Sequence, residues 1–96
     1  MIYTYTTPTL EMDIIGVDLS NAETIEITIK QGENKLKLTD GQVDGTTWTR
    51  MLTQEESATF TGTVLIQGRI KLVTGEVIPT DQIAVPWARC LAGEEL

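Results

Sequence analysis

Ninety-six residues make one domain spanning 1–96, with room for a modest core and no second domain. Hydrophobic residues are 41% of the chain, which excludes a disordered tail, and aromatic residues only 5%, so aliphatic side chains must build most of the core. Fourteen acidic against 7 basic residues leave a net charge of −7, which argues against nucleic acid or anionic lipid as a partner, because phosphates are bound by clustered Lys and Arg.

The first residues, Met1 to Tyr5, carry no Lys or Arg followed by an apolar run, so no signal peptide is expected, and the single cysteine suits a reducing cytoplasm. Tyr3 and Tyr5 precede Pro8 in a Thr-rich stretch, and residues 1–7 are expected to be a docking arm or a frayed end. The first strand signal follows. Leu10, Met12 and Ile14 alternate with Thr9, Glu11 and Asp13. Ile25, Ile27 and Ile29 alternate with Thr24, Glu26, Thr28 and Lys30, the cleanest period-two run in the chain, as a strand wet on one face requires. Gln31-Gly32-Glu33-Asn34 should turn this strand back into the Leu36, Leu38 run.

Asp40-Gly41 is the strongest two-residue hairpin signal, because both central positions of a type I′ turn need positive φ. Asp44-Gly45 marks a further reversal. Trp48 comes next, with Arg50 and Leu52 on its parity. Thr53 and Glu56 have capping-box spacing, in which the Thr oxygen takes an orphan N–H and the Glu reaches back to the cap. One helical turn is expected over about residues 54–58, anchored in the core by Leu52 and Phe60 and crossing from one sheet to the other.

Val64, Ile66, Ile70 and Leu72 share one parity, interrupted by Gly68. That glycine marks a bulge or bend, or else a close approach by backbone or ligand. Thr74-Gly75 turns the chain again. Ile83, Val85 and Trp87 close the pattern, with Pro86 requiring an edge or bulge on at least one side of the last strand. These signals together predict an all-β sandwich or barrel of about seven strands, with a two-sheet sandwich preferred.

Chemistry is harder to find. With no histidine, nothing activates Ser20 or Ser57, and the carboxylates are scattered over turns and strand exteriors. Asp40 to Gly45 lacks the ligand spacing of a calcium loop. The single cysteine, Cys90, makes no intramolecular disulfide and is expected to be a small, partly buried side chain. No enzyme, cofactor or metal site is expected. The candidate contact residues are Trp87, Trp48, Tyr3, Tyr5 and Arg69, with each tryptophan readable as core or as interface anchor.

Several segments resemble a group of small proteins encoded near tail or baseplate genes in prophages of Gram-positive bacteria. They are Thr7-Pro8-Thr9-Leu10, Ile25 to Gly32, Leu52-Thr53-Gln54-Glu55-Glu56-Ser57, Val64 to Lys71 and Gly75 to Thr80. The group is similar to the immunoglobulin-like N-terminal domain of phage baseplate upper proteins. The resemblance implies an antiparallel two-sheet immunoglobulin-like sandwich and a non-enzymatic role in a phage tail or baseplate. Its expected partners are other tail proteins or a second copy. The chain departs from the group at Arg50, at Gly68 and in the tail after Pro86. Two alternatives stand beside this expectation: a carbohydrate-binding adhesion module using exposed aromatic rings, and a small acidic inhibitor of a host enzyme.

Overall fold

The structure is a computed structural model and describes residues 1–14 and 19–96. Among these, nine strands form two sheets on one core. The larger sheet contains β1 (Ile2–Tyr3), β3 (Ala22–Gln31), β4 (Asn34–Leu38), β7 (Gly62–Leu72), β8 (Val77–Pro79) and β9 (Ile83–Ala88). Its order is β1-β9-β7-β3-β4, with β8 also on β7. The smaller sheet contains β2 (Thr9–Asp13), β5 (Gln42–Asp44) and β6 (Thr47–Met51) in the order β2-β6-β5. The all-β, two-sheet expectation therefore holds, with more strands than the seven counted from sequence. One pairing is not antiparallel: β1 runs parallel to β9, with Ile2 beside Trp87 and Tyr3 beside Ala88.

The alternating residues build the core. Ile25, Ile27 and Ile29 from β3 meet Val64, Ile66 and Ile70 from β7, and Met12 and Trp48 close over them from the smaller sheet. Leu52 and Phe60 are fully enclosed and flank a single helical turn, α1 (Gln54–Ser57). The capping box at Thr53 is complete: Thr53 Oγ1 accepts from the Glu56 N–H, and Glu56 Oε1 accepts from the Thr53 N–H. So short a helix has no stability of its own and is held by its packed ends.

Two turns behave as their sequences suggest. Gly32 and Gly45 have φ of 56° and 62°, each at the first central position of a two-residue hairpin. Asp40-Gly41 does not. Neither residue has positive φ, and the segment carries the chain from β4 in one sheet to β5 in the other. Glycine is needed at 41 for space, since a Cβ there would overlap the Trp48 indole.

Gly68 also corrects an expectation. It keeps regular register with Ile27 on β3, so it is not itself bulged. The irregularity lies in the neighbour. Strands β8 and β9 both pair with β7 along one side, and residues 80–82 bow out between them. Thr80 stitches the bow down: its N–H donates to the Gly68 carbonyl at 2.9 Å, and its Oγ1 accepts from the Gly68 N–H at 2.8 Å. A Cβ at 68 would sit 2.9 Å from Ile27 Cδ1 and 3.3 Å from Thr80 Cγ2. Pro86 faces Thr63 on β7, while on its other side β1 pairs only from Trp87 onward, so its missing N–H falls at an open edge.

The first seven residues are not an arm. The Thr4 N–H donates to the Ala88 carbonyl, and Thr4 Oγ1 accepts from the Cys90 N–H. Thr6 exchanges two hydrogen bonds with the Ser57 hydroxyl. These tethers pair residues 51 or more apart in sequence, so no local pattern announces them.

Candidate functional site

The five candidate contact residues separate once placed. Trp48 and Trp87 are core residues, 1% and 3% exposed. Trp48 lies beneath Gly41. Trp87 packs edge-on to Phe60, with ring centroids 5.5 Å apart, and its Nε1–H donates to the Ser57 carbonyl at 2.8 Å. Neither ring offers a surface to a ligand, which removes the two strongest residues from the carbohydrate reading. Tyr3 is 48% exposed at the rim of the larger sheet. Tyr5 is half-buried and takes the left-handed φ of 58° where the chain turns from β1 toward Ser57. Arg69 points outward from β7, beside the feature described next.

The outer face of the larger sheet gathers the chain's cations. Alternation on β3, β4 and β7 sends Ile, Leu and Val inward and Lys30, Lys35, Lys37, Arg69 and Lys71 outward. That is five of the 7 basic residues in a chain of net charge −7. Register fixes their spacing. Lys30 stands directly opposite Lys35, Thr28 opposite Lys37, and Thr28 also opposite Gln67 on the far side. Directly opposite side chains sit ~5 Å apart at Cβ, and neighbours two apart on one strand ~7 Å. The face is concave, with about 460 Å³ between Glu26, Lys30, Lys35, Lys37, Arg69 and Gln82.

Charge pairing divides this face in two. Arg69 donates to Glu26 Oε1 through Nη2 at 2.8 Å and Nε at 3.2 Å. That hydrogen bond, with the field of Lys37 and Lys35 added, holds the Glu26 carboxyl below its ordinary range. Lys71 lies 4.0 Å from Glu23. The ion pairs among the described residues belong to Arg50, Arg69 and Lys71, so Lys30, Lys35 and Lys37 form none. Like charges held directly opposite each other destabilise a sheet. Lysines on an edge strand also discourage stray pairing, which accounts for Lys35 and Lys37 on β4. It does not account for Lys30, since β3 is flanked on both sides.

A second charged cluster has a different character. Arg50 is 17% exposed on β6 and donates to Glu56 Oε1 at 2.6 Å and Asp40 Oδ1 at 3.0 Å. Burial of Glu56 opposes its ionisation, but the hydrogen bonds from Arg50 and the Thr53 backbone outweigh it and hold the carboxyl below its usual value. Glu56 in turn raises the Arg50 guanidinium. This cluster ties the sheet crossover at Asp40, strand β6 and the capping box together. It is architecture, and no ligand is needed to explain it.

Among the described residues no three His, Cys, Asp or Glu side chains gather as metal ligands would, and no helix is long and apolar enough to cross a membrane. Sequence reasoning named Arg69 and missed the lysines. The Gly32 hairpin alone places Lys30 opposite Lys35, so that part was readable. The addition of β7 beside β3, which completes the face, was not. Compared with protein-family models, curated proteins and solved structures, the chain matches none.

Proposed function

We propose that the chain is a non-enzymatic structural or accessory protein of a phage or prophage tail or baseplate, acting through protein–protein contacts on an immunoglobulin-like frame. The observation that carries the contact role is the cluster of Lys30, Lys35 and Lys37. Three cations stand without carboxylate partners on a firm sheet, in a chain with twice as many acids as bases. A flat or concave sheet face binds another protein without any reactive group, and complementary charge gives such a contact its specificity.

Strand order supports the immunoglobulin-like frame. Variable-type domains put strands C, F and G with C′ in one sheet and B, E and D in the other. In chain order β2, β3, β4, β5, β6, β7 and β9 take the positions of B, C, C′, D, E, F and G. The helical turn α1 then falls at the E–F corner. The chain differs from antibody domains in having one cysteine, hence no inter-sheet disulfide, and in carrying its buried tryptophans on β6 and β9.

The tail or baseplate assignment rests on the segments that resemble the prophage group. Production in the bacterial cytoplasm and incorporation into the virion follow from that assignment. The test is to tag the chain in a lysogen, induce it and purify virions. Recovery of the chain in virions with tail proteins attached is the expected result. A chain absent from virions and bound to no tail protein overturns the assignment.

A further inference from the structure

We infer that the lysine face of one copy docks on the outer face of the smaller sheet of a second copy, so that copies stack head to tail. The inference rests on the contact role proposed above and names its partner.

The outer face of the smaller sheet is the charge complement. Its outward residues include Glu11 and Asp13 on β2 and Asp44 on β5, and no Lys or Arg. Register sets Asp13 and Asp44 on either side of Thr47, with Glu11 opposite Thr49. Glu11 and Asp13 are two apart on their strand, as Lys35 and Lys37 are on theirs, ~7 Å in each case. Three exposed carboxylates thus face one side of the sandwich and three unpaired lysines the other.

Geometry then dictates the kind of contact. The two faces lie on opposite sides of the core, so one copy cannot satisfy itself. A two-fold contact of lysine face on lysine face sets like charges together. Basic face on acidic face is heterologous and leaves one free face of each sign at the ends of a stack. The overall charge of −7 repels copies at a distance. At physiological salt, however, the Debye length is ~8 Å, shorter than the ~10 Å between packed sheets, so groups touching across a contact outweigh those on far sides.

The experiment is a charge exchange read by sedimentation velocity and native mass spectrometry. One variant carries Lys30→Glu, Lys35→Glu and Lys37→Glu, the other Glu11→Lys, Asp13→Lys and Asp44→Lys. Wild type is expected to gain mass with concentration at moderate ionic strength and to return to monomer in high salt. Each variant alone should self-associate roughly tenfold or more weakly, since like charges then oppose each other. An equal mixture should associate again, because one variant then presents an acidic group on both faces and the other a basic group on both. Where circular dichroism reports misfolding, the single changes Lys35→Glu and Asp13→Lys replace the triple ones.

A wild type that is monomeric throughout, or a mixture that does not associate, overturns the stacking. So does an anionic polymer that binds through the lysines alone while the acidic-face variant behaves as wild type. A monomeric wild type still found on virion tail proteins overturns the stacking and leaves the contact role standing. A stacking wild type absent from virions and bound to no tail protein leaves the stacking standing and overturns the tail or baseplate assignment.

Discussion

Two charged regions of this molecule obey opposite rules. Around Arg50 the single cation has two carboxylates, one of which also closes a capping box. On the outside of the larger sheet, Lys30, Lys35 and Lys37 crowd together without an ion pair, and the neighbouring carboxylate, Glu26, is held by Arg69. Scarcity does not explain the contrast, because the chain holds 14 acidic residues for 7 basic ones. The acids on this sheet, Glu23 and Glu26, are taken by Lys71 and Arg69, and most of the others lie on turns, at the junction or on the opposite face. Pairing where the chain must hold its own shape, and its absence where a surface is exposed, separates internal architecture from a surface left for something else. Substitutions at the two regions should therefore fail in different ways.

The largest effect is expected at the junction. Trp87 fills the space between Phe60 and the helical turn and supplies the hydrogen bond to the Ser57 carbonyl. Trp87→Ala leaves a cavity and an unpaired buried carbonyl, and should cost about 4 kcal/mol. Such a loss removes much of the stability of a small domain. Urea unfolding is the measurement, and a midpoint near that of wild type would contradict the placement of Trp87 as a core anchor.

Next comes Arg50→Ala, which strands Glu56 in a mostly covered position. A fully enclosed pair would lose about 3–5 kcal/mol; with each side chain nearly one-fifth exposed, about 2 kcal/mol is expected. The pH dependence has a definite sign. The folded state holds the Glu56 carboxyl below its unfolded value of about 4.3, so its contribution is complete above that pH and disappears as pH falls through the folded value. Glu56→Gln keeps the capping-box geometry without the charge. Thermal melts of wild type and this variant should differ most at neutral pH and converge in acid. A gap that is constant across pH would mean that the ion pair contributes nothing.

How far the sequence foretells this contrast depends on range. Period-two alternation placed the inner faces of β3 and β7, and Thr53 with Glu56 announced the capped turn, because these signals are written within a few residues. The same local logic misread Asp40-Gly41, where the pattern of a hairpin turn is used for a crossover and the glycine makes room for Trp48. It was blind to Ser57 as the tether of the N-terminal segment, to β1 lying parallel to β9, and to the bow at Thr80. Each of those is a contact between distant parts of the chain. The lysine face lies between the two cases. One hairpin of it was legible, and its width was not, since that depends on which strand lies next to β3.

The smallest expected effect is the most discriminating. Lys35→Glu sets an acid opposite Lys30 and two positions from Lys37, turning a repulsive pair into an attractive one. Stability should rise by a few tenths of a kcal/mol, up to about 0.5, which is on the order of 2–4 °C in melting temperature. If the lysines only guard the β4 edge, a charged replacement guards it equally well and nothing else changes. If they form a contact surface, the same substitution weakens association while the fold becomes firmer. A gain in stability coupled to a loss of association is difficult to obtain from damage to the fold, because damage lowers both. Melting and sedimentation on one preparation therefore separate a face shaped by the needs of folding from one kept against them.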